Sequence, residues 1–190
     1  MTKEELGRLY PVRLAPYDPG WNALFEKEKR FLGGVLGPNA LRIEHAGSTA
    51  VPGIMAKPTV DILVEIPSGP GVNGKIMEIM IAAGYIHMEE QTKHLMFVKG
   101  YSPKGLEKES FHVHMGPKEQ DFVWDRIYFR DYLRANPAVA KEYERLKIAL
   151  ASKYPNDREA YTDGKADFIE RITALAKKEL PLHLFKQSSK

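Results

Sequence analysis

The stretch Thr59-Val60-Asp61-Ile62-Leu63-Val64-Glu65-Ile66 leaves this chain little structural freedom. Val60, Ile62, Val64 and Ile66 fall at every second position, and successive strand side chains point to opposite faces. The run is therefore read as a strand with one wholly apolar face. Its other face carries Asp61, Leu63 and Glu65, with an acid at each end. Such a strand has to sit inside a sheet covered by helices. The chain offers the first cover at Trp21, Leu24, Phe25, Phe31, Leu32 and Val35, which recur at three- and four-residue spacing. Asp18 can cap this helix, Pro19 fits its first turn, and Gly37-Pro38 ends it. Trp21, Phe25 and Phe31 are read as core. Val72, Ile76, Ile79, Met80 and Ala83 mark a second helix, stopped by Gly84.

Further strands are expected at 41–45, 85–88, 94–98 and 111–115. Residues 3–10 read as a polar lead and 12–17 as extended chain. Pro67–Gly74 is a loop, and Lys99–Ser110 reads as a charged loop long enough to be mobile. This order predicts an α+β fold, a mixed sheet with helices on one side. After Pro117 the pattern turns helical. Phe122, Ile127, Tyr128 and Leu133 suggest one helix. Asn136-Pro137 caps the next, which carries Val139, Ala140, Tyr143, Leu146 and Leu150. Tyr154–Asp157 breaks it, and Tyr161–Leu180 forms a third that Pro181 ends, with fraying from Gln187. The expected organisation is an α+β core over 1–117 with a helical segment over 118–190 packed against it.

Hydrophobic residues make up 43% of the 190, enough for a real core. There is no cysteine, which excludes disulfides, thiolate catalysis and cysteine zinc sites. The cytoplasm is then the simpler location. Met1–Tyr10 lacks the apolar segment of a signal peptide, and no apolar run reaches the roughly 18 residues of a membrane span. The 28 basic and 25 acidic residues give a net charge of +3. That mixed surface is compatible with an anionic substrate. With no basic run and no aromatic–basic strand platform, it does not argue for nucleic acid.

Two constellations carry chemistry. The first is Gly47-Ser48 with Asp61. Glycine permits a sharp turn, and amides opening a helical turn can hold a phosphate with a serine hydroxyl as a further donor. Asp61 could hold a divalent cation against that phosphate. The alternative is that Ser48 caps a short helix and Asp61 accepts ordinary hydrogen bonds. A second acid two residues on would complete a metal pair, but position 63 is leucine, and Glu65 lies roughly 13 Å along the strand at about 3.3 Å per residue. The second constellation is His112-Val113-His114. Both imidazoles share one strand face and can bind a borderline metal, contact phosphate or transfer protons. His94 or Glu44 could complete a site with Asp61. His45 alternates away from Glu44. The alternative is a pair of half-exposed strand histidines. Lys57 could reach a phosphate. Arg126 and Arg130 stand four apart on one helix face and could clamp an anion, or pair with Asp125 and Asp131. Arg158, Tyr161 and Lys165 open the last helix and could face the cleft.

These blocks together resemble the GrpB family, which is placed in the nucleotidyltransferase-like superfamily. The resemblance runs through Val12-Arg13-Leu14, Pro16-Tyr17-Asp18-Pro19, Ile43-Glu44-His45 and Gly47–Gly53. It continues through Lys57-Pro58 with Asp61, His112-Val113-His114, Phe129–Leu133, Leu146-Lys147, Asp157-Arg158, Tyr161-Thr162 and Lys165. It implies a nucleotidyltransferase-like mixed sheet. Gly47-Ser48 would be the nucleotide-binding turn and Asp61 the first metal-binding acid. Leu63 replaces the second acid, and His112 or His114 occupies the region of the third. Some relatives are similar to a domain fused to dephospho-CoA kinase. The function expected on these grounds is binding of a nucleotide or phosphorylated small molecule with a divalent ion (magnesium, manganese or zinc), with nucleotidyl or phosphoryl transfer from a nucleoside triphosphate. Gly47, Ser48, Lys57, Arg130, Tyr161 and Lys165 would bind the ligand. Asp61, Glu44, His112 and His114 would hold the metal, and Asp61, His112 and His114 would act in the chemistry. The rivals are a non-catalytic phosphate-binding module, which Leu63 favours, and a metal-dependent hydrolase built on the two histidines.

Overall fold

Val60, Ile62 and Val64 are wholly buried on one face of a five-stranded sheet. The structure, a computed structural model, describes residues 3–89 and 93–179. The strands are β1 (Arg42–Ala46), β2 (Val60–Glu65), β3 (Ile86–His87), β4 (Leu95–Ser102) and β5 (Gly105–Gly116), in the order β1-β2-β5-β4-β3. β2 runs parallel to β5, with Asp61 opposite His112 and Leu63 opposite His114. The other pairings are antiparallel. The helices are α1 (Lys3–Leu9), α2 (Gly20–Leu36), α3 (Val72–Ala82), α4 (Asp121–Ala135), α5 (Pro137–Lys153), α6 (Arg158–Asp163) and α7 (Ala166–Glu179).

The apolar face of β2 packs on Trp21, Phe25, Leu32 and Leu36 of α2 and on Ile76 and Met80 of α3. Helices also cover the other face. Leu63 and Ala46 form an apolar patch between the strand's two acids, and Val123, Trp124 and Ile127 of α4 close over it. This second layer comes from the 118–190 segment, while α2 and α3 share one side: leaving Leu63 bare would expose apolar area worth roughly 2 kcal/mol, and α4 removes it. Beyond that contact, Phe129 and Leu133 of α4 join Tyr143 of α5 and Ile172 and Ala176 of α7 in a further core cluster.

Four expectations change. Lys99–Ser110 is not an open loop but the end of the β4–β5 hairpin, which pairs Tyr101 with Leu106 and Ser102 with Gly105. Its charges lie at the exposed edge while backbone hydrogen bonds hold it, so side-chain polarity concealed the strand. The helix expected over Tyr161–Leu180 is two helices, α6 and α7, divided at Gly164-Lys165; Leu180, Pro181 and Gln187 lie outside the described residues. A Cβ on Gly164 would stand 2.5 Å from Leu150 Cδ2, so the break lets α5 approach closely. The polar lead contains α1. Phe31 is 40% exposed rather than core, with the Lys99 ammonium 4.5 Å from its ring centre. Asp18 does accept a hydrogen bond from the Gly20 amide, at 2.7 Å. Asn136 instead donates its side-chain amide to the Tyr132 carbonyl, closing α4, while Pro137 opens α5.

Candidate functional site

A cavity of about 690 Å³ lies between the Asp61–His112–His114 face of the sheet and helices α4 to α7. Period-two alternation on β2 and β5 delivers all three side chains to it. The turn after β1 forms its floor. Gly47 has φ +69°, and a Cβ there would sit 2.0 Å from Asp61 Oδ2. Glycine is required here by the carboxylate that crosses it, as well as by the left-handed backbone. A single 3-10 turn, Ser48–Ala50, follows, and a hydrogen bond joins Ser48 to the Tyr143 phenol.

Asp61 Oδ1 lies 3.2 Å from His112 Nδ1, and His112 Nε2 lies 2.6 Å from the Tyr101 hydroxyl. Arg158 Nη2 donates to that same hydroxyl at 3.1 Å, while Nη1 donates to the Tyr10 carbonyl. One assignment of protons satisfies every group: His112 Nδ1–H donates to the carboxylate, and Nε2 accepts from Tyr101. Burial pushes the Asp61 carboxyl up, but the His112 hydrogen bond and the charges that His112, His114 and Lys57 carry when protonated more than reverse this and hold the carboxyl well below its usual range. His114 Nδ1 lies 2.8 Å from His94 Nε2. Burial, helped by Arg126, lowers His94 to about 4 and His114 well below its usual value, so this pair is neutral at pH 7.

The opposite wall is cationic. Lys57 and Lys165 place their ammonium groups 5.3 and 4.4 Å from the ring centre of buried Tyr161. Among the described residues neither makes an ion pair. Lys147 of α5 is 2% exposed and donates to the Met55 carbonyl. Burial and the charges of Arg158 and Lys165 push Lys57 down to about 7. Burial and Lys165 push Lys147 down to about 7. Lys165 falls to about 8 through burial and Arg158, with Asp61 opposing. Arg126 also lines the cavity. Three lysines and two arginines thus line the cavity with the ionised Asp61, while Asp125, which also lines it, is paired with Lys177. The cationic excess gives the wall a positive potential.

Gly47, Ser48, Lys57, Asp61, His112, His114, Tyr161 and Lys165 all line this cavity. Glu44 and Arg130, expected as a metal ligand and a ligand-binding residue, do not line it. Glu44 shares the Asp61 side of the sheet, but its carboxylate is 2.9 Å from Arg130 and 2.9 Å from Arg42. Arg130 is further bound to Asp131 and the His45 carbonyl, both at 2.7 Å. They form a structural knot between α4 and β1. His45 faces the opposite side, 4.7 Å from the Phe25 ring centre.

The donor set does not fit a metal pair. Among the described residues no three His, Asp or Glu side chains are grouped to hold an ion. Leu63 is buried under α4, His112 is engaged at both ring nitrogens, and His114 Nδ1 faces His94. The three-ligand set that a histidine-based hydrolase needs is not assembled by these side chains.

Two cavity residues receive no role from the sequence, Tyr101 and Lys147, the latter appearing there only within the family resemblance. Lys147 follows Ala140 and Tyr143 on the buried stripe of α5, and a cation at an apolar position is its signal. Tyr101 should by alternation share the side of Lys99. Gly100 interrupts β4 with φ +80°, the register with β5 shifts there, and the ring turns into the cleft.

Fold and cleft define an α+β protein with a mixed sheet and a lysine- and histidine-lined cavity beneath its C-terminal helices. Among the described residues no helix is long and apolar enough to cross a membrane. The chain belongs to the GrpB protein family, whose model matches residues 11–175. It is 40% identical over 163 residues to the glutamate-rich protein GrpB of Alkalihalophilus pseudofirmus, covering 85% of this chain and 93% of that one. The crystal structure of conserved protein GrpB from Enterococcus faecalis is similar at a TM-score of 0.73 and 31% identity, covering 87% of this chain and 98% of the other. The chain is also 30% identical over 177 residues to part of a protein named dephospho-CoA kinase from Mycolicibacterium paratuberculosis, spanning 43% of its length.

Proposed function

We propose that this protein binds a nucleoside triphosphate or a closely related phosphorylated small molecule in the cleft, and promotes attack of a hydroxyl on phosphorus, as a nucleotidyltransferase-like protein of the cytoplasm. The observation that carries this is the cationic wall of Lys57, Lys147, Lys165 and Arg158 facing the Asp61–His112 pair. Crowded, desolvated ammonium groups near neutrality are relieved by an incoming anion, which restores their ordinary affinity for protons. The Gly47-Ser48 turn lies across the same cavity and supplies further polar contacts. His112, oriented by Asp61, presents Nε2 as the proton acceptor for a hydroxyl nucleophile. A divalent ion such as magnesium, manganese or zinc would add charge neutralisation if carried in on the phosphates, with Asp61 as the carboxylate to receive it.

The competing reading is a non-catalytic phosphate-binding module, favoured by Leu63 in place of a second acid. Calorimetric titration with the four nucleoside triphosphates, alongside turnover of the labelled triphosphates with small hydroxyl acceptors, separates the two. Binding with turnover supports transfer, binding alone supports the module, and no binding of any triphosphate rejects both.

A further inference from the structure

We infer that Tyr101 is itself a nucleophile, and that the cleft forms a covalent tyrosyl–nucleotide through an Asp61–His112–Tyr101 relay. The inference rests on the nucleotide reading above and adds the group that first receives the nucleotide. A hydroxyl, a base within hydrogen-bonding reach of it and a third group orienting the base form the signature of an activated nucleophile. Here the Tyr101 hydroxyl is 2.6 Å from His112 Nε2, and His112 Nδ1 is 3.2 Å from Asp61 Oδ1. The hydroxyl therefore occupies the position that a reacting hydroxyl would take against this base.

Two further features suit the role. Arg158 Nη2 lies 3.1 Å from the same oxygen, with its guanidinium carbon 5.8 Å from the ring centre. It stabilises a developing phenolate as a nucleophile and again as a leaving group. Burial raises the Tyr101 hydroxyl above its usual pKa despite Arg158, so it rests protonated and needs a base to react. The backbone also commits to this placement. Gly100 adopts φ +80° within 2.1 Å of the Glu109 carbonyl by the measure of an added Cβ, and it is this kink that directs Tyr101 toward His112.

The first step balances as follows. The Tyr101 oxygen forms a bond to the α-phosphorus of a nucleoside triphosphate, the bond from that phosphorus to the bridging oxygen breaks, and pyrophosphate leaves with the electron pair. The phenolic proton passes to His112 Nε2, whose cation Asp61 stabilises, and then to the departing pyrophosphate beside Lys57 and Lys165. In the second step an acceptor hydroxyl attacks the same phosphorus and gives its proton to His112. His112 returns a proton to the leaving Tyr101 oxygen, restoring the resting state.

The test incubates the full chain with each of ATP, GTP, CTP and UTP plus magnesium, without acceptor. Intact-mass and peptide-fragment mass spectrometry, pyrophosphate release and calorimetric binding of the corresponding α,β-methylene triphosphates are read in parallel. The expected result is one nucleoside monophosphate on Tyr101 with one equivalent of pyrophosphate released. Tyr101→Phe should lose both while keeping its thermal transition and analogue binding within about threefold. His112→Gln should slow adduct formation by about 10²–10⁴-fold, the usual contribution of a general base. Binding of analogue with an unmodified chain and no pyrophosphate release overturns the inference and leaves nucleotide binding standing. Pyrophosphate release undiminished in Tyr101→Phe also overturns it. Absence of analogue binding in the wild-type chain overturns both readings.

Discussion

Replacing Gly47 by alanine isolates the contact on which the cleft floor depends. A Cβ at this position would stand 2.0 Å from Asp61 Oδ2, 2.8 Å from Cγ and 2.9 Å from Cβ, and the backbone there has φ +69°. With φ +69° and ψ −171° the backbone lies in a region essentially reserved for glycine, which costs another residue roughly 1–3 kcal/mol, and forcing one methyl into a packed site costs roughly 1–3 kcal/mol. Together they predict a loss of about 2–6 kcal/mol, or a fall in Tm of roughly 4–24 °C for a domain of this size. The clash can be relieved only by moving the Asp61 carboxylate, which lengthens its 3.2 Å contact with His112. A double-mutant cycle with Asp61→Ala removes the Oδ2 and Cγ contacts and keeps both the backbone strain and the 2.9 Å contact with the Cβ of residue 61. In that background Gly47→Ala should cost less, with a coupling of about 1–2 kcal/mol between positions 47 and 61. Urea denaturation of the four proteins measures it. Equal losses in both backgrounds would refute the argument that the carboxylate crosses the turn too closely for a side chain.

Three more expectations follow from the same geometry. Lys57 and Lys147 titrate near 7 and Lys165 near 8 in the folded chain, against an ordinary 10.5. Between those values the unfolded chain binds more protons, so stability of the ligand-free protein should rise from about pH 7 to pH 9.5. Denaturant titrations across that range test this, and a flat or falling profile contradicts it; saturating tripolyphosphate should flatten the rise by keeping the lysines charged. Lys147→Met should change stability by less than about 2 kcal/mol, since an apolar side chain of similar length replaces a buried cation. It should weaken triphosphate binding about tenfold, or roughly 1.4 kcal/mol, and unchanged affinity in calorimetry would remove Lys147 from the site. A fragment ending at residue 117 should be insoluble or molten because Leu63 and Ala46 lose the cover of α4. A soluble fragment with a cooperative thermal transition would show instead that residues 1–117 stand alone.

What could be read in advance was what local periodicity determines. The alternation of Val60, Ile62 and Val64 and the three- and four-residue spacing from Trp21 to Val35 depend only on backbone geometry, and both elements are present. The same alternation put His112 and His114 on one strand face. It could not say that β5 would lie parallel to β2 with Asp61 against His112, because strand partners are chosen by the whole chain. Glu44 shows the complementary limit. Its side of the sheet could be read from alternation, but its capture by Arg130 depends on where α4 docks. Tyr101 stayed hidden because one glycine overturned the alternation rule that would have placed it. Lys99–Ser110 reads as a loop because a hairpin held by its backbone needs no apolar pattern.

The parallel pairing of β2 with β5 sets a timetable for the living protein. The hydrogen bond between Asp61 and His112 joins residues 51 positions apart, and everything between them must be made before it can close. Parallel strands cannot be joined by a tight turn, so the pairing waits on a long crossover and is reached late in folding. A nascent chain that has emerged through β2 already carries Asp61 and the Gly47 turn but has no imidazole to set beside them. The Asp61–His112 contact is assembled only when β5 docks, so its formation reports completion of the sheet.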